Sequence, residues 1–330
     1  MNIPNDTGHP YRLNKFIEYQ HKVPPIGPAT YIAWAKRLNM SPSACVMLAW
    51  FNSMSYCEIT AIYLFYMLPY QDVRKQYVQE FWNDNKEYLI FASARKYVKN
   101  MDWFIPLMFQ FMRAIKRQPF RWLTEISGKG NAEQKYDNVY KFLMKWQYMG
   151  RFSVELFTDA IVQMSREGLL GDLQFKAHEF DWRHGSNITS GMLNMFYKDQ
   201  EAEDFDKSGK LPLELQQYLE HKIVEVQKAV KKAYPEQDTS ISVITPKMCS
   251  YRNLFKGSRY GGYHHDRQLE QLLHYQRVYG DSPLWSTLFK LREEIFVPEL
   301  LGEIGGWTGV RKERKKLWLN EGRTGVETIS

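Results

Sequence analysis

The densest grouping of residues able to do chemistry is Cys249-Ser-Tyr-Arg-Asn-Leu-Phe-Lys-Gly-Ser-Arg-Tyr-Gly-Gly-Tyr-His-His-Asp-Arg267. Arg252, Lys256 and Arg259 stand there among Gly257, Gly261 and Gly262. Guanidinium forks bind phosphate oxygens in pairs, and glycine lets a backbone approach a ligand closely. The grouping therefore suits a phosphate or a pyrophosphate. A surface turn with ordinary ion pairs fits the same composition.

Three further segments carry candidate chemistry. Glu179-Phe-Asp-Trp-Arg-His-Gly-Ser-Asn-Ile-Thr-Ser-Gly191 holds Asp181, His184, Ser186 and Ser190, a base candidate with several hydrogen-bonding groups. Its structural alternative is turn chemistry with a helix cap from Thr189 or Ser190. Gly150-Arg-Phe-Ser-Val-Glu155 reads as a helix start, with Ser153 as N-cap and Arg151 just outside. Val23-Pro-Pro-Ile-Gly-Pro-Ala-Thr30 is loosely similar to the turn of a helix-hairpin-helix. Pro25 stands where that turn wants glycine and Pro28 removes an amide, so it reads as a helix start.

Familiar catalytic signatures are missing. The sequence has no P-loop, no GxGxxG after a strand, no GxSxG elbow and no HExxH. His264 and His265 would point about 100° apart on a helix, so one ion would not use both. Cys45, Cys57 and Cys249 are far apart and lack zinc spacing. Neither a metal nor a cofactor is implied, and a reduced, cytoplasmic protein fits best.

The elements that must position these groups read as helices. Leu215, Tyr218, Leu219, Ile223, Val226, Val230 and Ala233 form an apolar stripe opposite a wet face. Similar stripes predict helices near 12–22, 29–38, 42–68 (broken), 71–88, 101–117, 133–148, 153–166, 264–278 and 284–301. Ser240 to Ile244 is the best short strand candidate. The expected class is all-α, a multi-helix globular fold with long irregular loops. Asn39 to Cys57 is uncharged, but Pro42, its serines and the following Glu58 favour buried core helices over a membrane span. The polar N-terminus reads as lacking a secretory leader. Five acids between Asp199 and Asp206 suggest a boundary near 198–212. That gives an N-terminal helical part, 1–198, and a C-terminal helical part, 199–330, with the basic Gly-rich motif and a basic tail; a core shared by both fits equally.

Charge and aromatics point to nucleic acid. The 330 residues carry a net charge of +7, and 15% are aromatic. Basic residues cluster from Arg95 to Arg121, from Lys247 to Arg267 and from Arg311 to Arg323. Such cations neutralise phosphates and release counterions. Interleaved Tyr97, Phe120, Trp122, Tyr251, Tyr260, Tyr263 and Trp318 are candidates to stack on unpaired bases. Solvated helix faces and core aromatics are the structural alternative.

Taken in order, Tyr56-Cys57, Gly150-Arg-Phe-Ser153, the Asp181-Trp182 loop ending in Ser190-Gly191, and the 249–267 block resemble the phage thymine-hypermodification enzymes. These are the amino acid:DNA transferases and the alpha-glutamyl/putrescinyl thymine pyrophosphorylases. The resemblance spans roughly residues 30–300 and is most specific at 249–267. It implies a helical fold similar to DNA glycosylases and a substrate of double-stranded phage DNA with a flipped base. The base would be 5-hydroxymethyluracil, pyrophosphorylated by an upstream hydroxymethyluracil DNA kinase. An amino acid or polyamine amine would displace the pyrophosphate in the host cytoplasm.

On that reading Arg259 and Lys256, with Arg252 and Arg267, stabilise the departing anion. Asp181 serves as base or amine anchor. Tyr260 and Tyr263 hold the base, and Arg151 and Ser190 complete the substrate- and pyrophosphate-binding set. Cys249 is an alternative nucleophile toward the pyrimidine ring. Two other functions fit the same composition: a non-catalytic helical DNA-binding protein, and a DNA glycosylase-like enzyme using Asp181.

Overall fold

A computed structural model describes residues 10–22, 29–71, 74–177, 187–196, 211–255 and 263–295. Every regular element among them is helical, so the all-α expectation holds. The helices are α1 Pro10–Lys22, α2 Ala29–Arg37, α3 Pro42–Ser55, α4 Glu58–Met67, α5 Lys75–Asn85, α6 Lys96–Asn100, α7 Phe104–Ile115 and α8 Pro119–Ser127. They continue as α9 Ala132–Leu143, α10 Arg151–Arg166, α11 Asn187–Phe196, α12 Leu213–Ala233, α13 Ile241–Phe255, α14 Tyr263–Tyr279 and α15 Pro283–Ile295. A short 3-10 turn, Ser93–Arg95, leads into α6.

Two sequence expectations fail locally. Ser240 to Ile244 is no strand; α13 begins at Ile241. Val243 and Ile244 look β-prone in a five-residue window. Over the full helix Ile244, Lys247, Met248 and Tyr251 are all buried, at helical spacing. Ser153 is not an N-cap. Gly150 caps α10, and Arg151 is its first residue.

The chain divides into two units that interleave along the sequence. The first takes Met1–Ile26, His178–Arg267 and Phe296–Ser330; the second takes Gly27–Ala177 and Gln268–Ile295. Most of the 198–212 stretch lies outside the described residues.

The second unit is built around α3. Every residue from Ala44 to Ser55 is buried. Trp50 stacks on Phe111 at 4.1 Å between ring centroids and meets Trp146 and Phe157 edge-on. Trp122 joins this cluster through Phe111. The helix ends where Tyr56 turns left-handed at φ 49°, which separates α3 from α4. The apolar run is thus two core helices. No helix among the described residues is long and apolar enough to cross a membrane.

Buried polar groups fix the packing. The Thr30 amide donates to Glu58 Oε2 at 2.8 Å, and Gln268 Nε2 donates to Glu58 Oε1 at 2.6 Å. Thr30 Oγ1 closes the triangle by donating to Gln268 Oε1 at 2.9 Å. This ties α2, α4 and the Gln268–Tyr279 part of α14. Arg95, 1% exposed, donates to Ser153 Oγ at 2.5 Å and to the Tyr97 hydroxyl. Ser153 of the Gly150–Ser153 motif is therefore a buried partner of arginine.

Asp159 lies one helical turn beyond Glu155 on α10. Burial, helped by the Glu155 charge, pushes its carboxyl up to about 8. Between the ordinary 3.8 and about 8 the folded carboxyl keeps a proton that the unfolded one has lost. Stability from this group is full below that window and falls as pH rises through it. Asp159→Asn should flatten the fall, read as urea midpoints at pH 5 and pH 8. A pH difference as large as in the parent protein would remove Asp159 as its source.

Candidate functional site

In the first unit, α13 is the common support. α1, α11 and α13 all pack on one another. Their apolar contact includes Phe16, Tyr19, Met192, Ile244, Met248 and Tyr251. The Tyr251 hydroxyl donates to the Arg12 carbonyl at 2.9 Å, and its ring packs edge-on against Phe16. Tyr251 is thereby a core residue and not a stacking surface for bases. Trp122, buried in the second unit, is excluded in the same way.

With Ile244, Lys247, Met248 and Tyr251 turned inward, the helical period places Cys249, Arg252 and Asn253 on the more open side. All three are half-buried. α13 thus keeps Cys249, Arg252 and Asn253 off its packing face.

α11 approaches α13 at backbone distance. A Cβ on Gly191 would lie 2.5 Å from the Met248 carbonyl oxygen and 2.9 Å from its carbon. Only glycine fits without a shift. This brings the helix that follows residues 181–186 against the helix that opens the 249–267 block. Ser190 is buried in the first turns of α11, and its carbonyl accepts from Asn194 Nδ2 at 2.7 Å. It sits inside the helix, so neither it nor Thr189 is the cap.

Beyond residues 256–262, Ser250 Oγ and His264 Nε2 lie 2.9 Å apart. They tie α13 to the start of α14, where Tyr263 packs edge-on with His264 at 5.5 Å. Tyr263 and Arg267 are half-buried. The first unit therefore holds Ser190, Arg252, Tyr263 and Arg267 of the expected set. Asp181, Lys256, Arg259 and Tyr260 lie outside the described residues. Arg151 belongs to the second unit, where its Nε donates to Glu155 Oε1 at 2.7 Å. Among the described residues no group of three His, Cys, Asp or Glu side chains is placed to hold a metal ion.

Lys247 and Arg95 belong to the basic clusters that the sequence offers to phosphates. Both are buried. Lys247 Nζ donates to the Gln20 carbonyl at 2.6 Å. Burial pulls its pKa down to about 7, against the Asp238 charge, which raises it. The amine therefore exchanges its proton near neutrality, on the buried side of α13. Its signal was present: it sits three residues after Ile244 and four before Tyr251, on the apolar stripe. Arg95 carried no such signal. Its environment comes from Met54, Tyr97 and Ser153, two of which are far away in sequence.

Gly191→Ala should destabilise the protein by about 1–3 kcal/mol, the usual cost of forcing an atom into a packed contact. Denaturant unfolding measures it, and an unchanged midpoint would mean that the α11–α13 approach is not tight. Lys247 keeps a buried charge below about pH 7, and its folded form sheds the proton below the ordinary 10.5. Its contribution to stability consequently rises between those values. Lys247→Met should abolish that rise in unfolding midpoints taken from pH 7 to pH 10. A rise retained in the variant would assign it to another group.

Compared with family models, with curated proteins and with solved structures, the chain matches none.

Proposed function

We propose that this chain is a DNA-base-modifying transferase that replaces pyrophosphate on pyrophosphorylated 5-hydroxymethyluracil with an amine. The observation that carries the reading is the backbone contact of Gly191 with Met248. The two segments with the richest chemistry, 179–191 and 249–267, are far apart in sequence, yet their helices α11 and α13 touch. The Ser250–His264 contact further ties together the flanks of the Gly-rich stretch.

In the reaction, the amine nitrogen attacks the 5-methylene carbon of the base. A C–N bond forms while the C–O bond to pyrophosphate breaks, and pyrophosphate leaves with the electron pair. Asp181 accepts the proton lost by the amine. Arg252, Lys256, Arg259 and Arg267 neutralise the developing negative charge. Tyr260 and Tyr263 hold the base, which a helical fold of the DNA-glycosylase kind would extrude from the duplex. Ser190 is assigned to substrate binding. The substrates are phage DNA, prepared by a hydroxymethyluracil DNA kinase, and an amino acid or polyamine in the host cytoplasm. The net charge of +7 supports an anionic polymer as partner.

The test uses duplex DNA carrying the pyrophosphorylated base, incubated with a mixture of amino acids and polyamines. Digestion to nucleosides should yield one species heavier by the amine, with an equal amount of pyrophosphate released. Arg259→Ala should lower turnover by about a hundredfold or more, the scale expected for one charge-stabilising group, with an unchanged circular dichroism spectrum. Unchanged nucleosides with salt-sensitive DNA binding would replace the reading with a binding protein. Abasic sites would replace it with a glycosylase.

A further inference from the structure

The second unit contains a cavity that the transferase reading does not use. Its volume is about 340 Å³, at the small end of ligand sites. Its apolar lining is Met112 and Tyr70, both half-buried, backed by the buried Met47, Met108 and Ile115. Arg113, Lys116 and Arg117 stand at the mouth and are exposed. Among the described residues none of these three is held in an ion pair, whereas nearby Arg121 is paired with Glu125 at 2.8 Å.

The backbone at the mouth is costly. Lys116 has φ 46° and Arg117 has φ 62°, both left-handed. An L-residue pays roughly 1–2 kcal/mol for that conformation. Helices that end this way ordinarily place glycine there. The negative end of α7 attracts cations to its last turn, but it does not require them in left-handed positions. Two consecutive cations in strained backbone thus flank the cavity.

The geometry points to a nucleoside phosphate as that ligand, with its base against Met112 and Tyr70 and its phosphate on Arg113, Lys116 and Arg117. Three unpaired cations match a phosphate dianion. Thioether sulfurs favour the edges of aromatic rings, and Tyr70 offers a ring for stacking. The small volume fits one nucleotide, taken either free or as one residue of a single strand. The inference stands independently of the chemistry assigned to the first unit.

Calorimetric titration of the full chain at low salt tests it. The probes are thymidine monophosphate, thymidine, inorganic phosphate and a short oligothymidylate. Thymidine monophosphate should bind saturably, and thymidine and phosphate at least tenfold more weakly. The double substitution Lys116→Gly with Arg117→Gly should weaken nucleotide binding at least tenfold. The same variant should melt no lower than the parent protein, because glycine relieves the strain. Lys116→Arg with Arg117→Lys should retain binding. Tighter binding of oligothymidylate than of the mononucleotide, lost in the glycine variant, would identify the strand as the source; the reverse order would identify free nucleotide. No saturable binding of either probe, equal binding of inorganic phosphate, or undiminished binding in the glycine variant would overturn the inference.

Discussion

Burying one helix on every side is the constraint on which the second unit depends. From Ala44 to Ser55, α3 meets protein on all its faces. A helix can do this because its backbone donors and acceptors are satisfied within the segment. Its polar side chains must be satisfied as well. Ser53 Oγ donates to the Trp50 carbonyl at 2.7 Å, and Ser55 Oγ donates to the Phe51 carbonyl at 2.9 Å. The surrounding α4, α8 and α10 follow from this, since each supplies an apolar face to one side of α3. Part of the aromatic content packs here, as Trp50, Phe111, Trp122, Trp146 and Phe157.

The charges inside the molecule obey a different rule. A buried ion must find dipoles or shift its protonation. Arg95 takes the first course and uses the Met54 carbonyl and the hydroxyls of Tyr97 and Ser153. Lys247 and Asp159 take the second, and both come to titrate near neutral pH. Their effects on stability run in opposite directions with pH, because one is a cation and the other an anion. Removing Lys247 and Arg95 from the surface also narrows the basic face. What remains exposed between residues 95 and 121 includes Arg113, Lys116 and Arg117 around the cavity of the second unit.

In the first unit, proximity comes from a single missing atom. Gly191 allows α11 to rest against the Met248 carbonyl. Any larger residue would hold apart the helices flanking the candidate chemistry. The open side of α13, bearing Cys249, Arg252 and Asn253, follows from burial of the other side against α1 and α11. Packing, not local preference, selects which residues of the 249–253 segment are available.

The sequence by itself determined the helical class, because apolar residues recurring every three to four positions can bury only as helices. It also marked out α12, whose stripe from Leu215 to Val230 is buried as its spacing requires, and the break between α3 and α4. It singled out Arg252, Tyr263, Arg267 and Ser190 as candidates by residue type alone. It misread Ser240 to Ile244, since five residues do not distinguish a β-prone run from one turn of a longer helix. Only the tertiary structure decided which cations are buried, which aromatics are core, and that Gly191 meets Met248. It alone assembled Met47, Tyr70, Met108 and Arg117 around one cavity. Those outcomes depend on residues distant in sequence, and side-chain periodicity carries no information about which helix a face will meet.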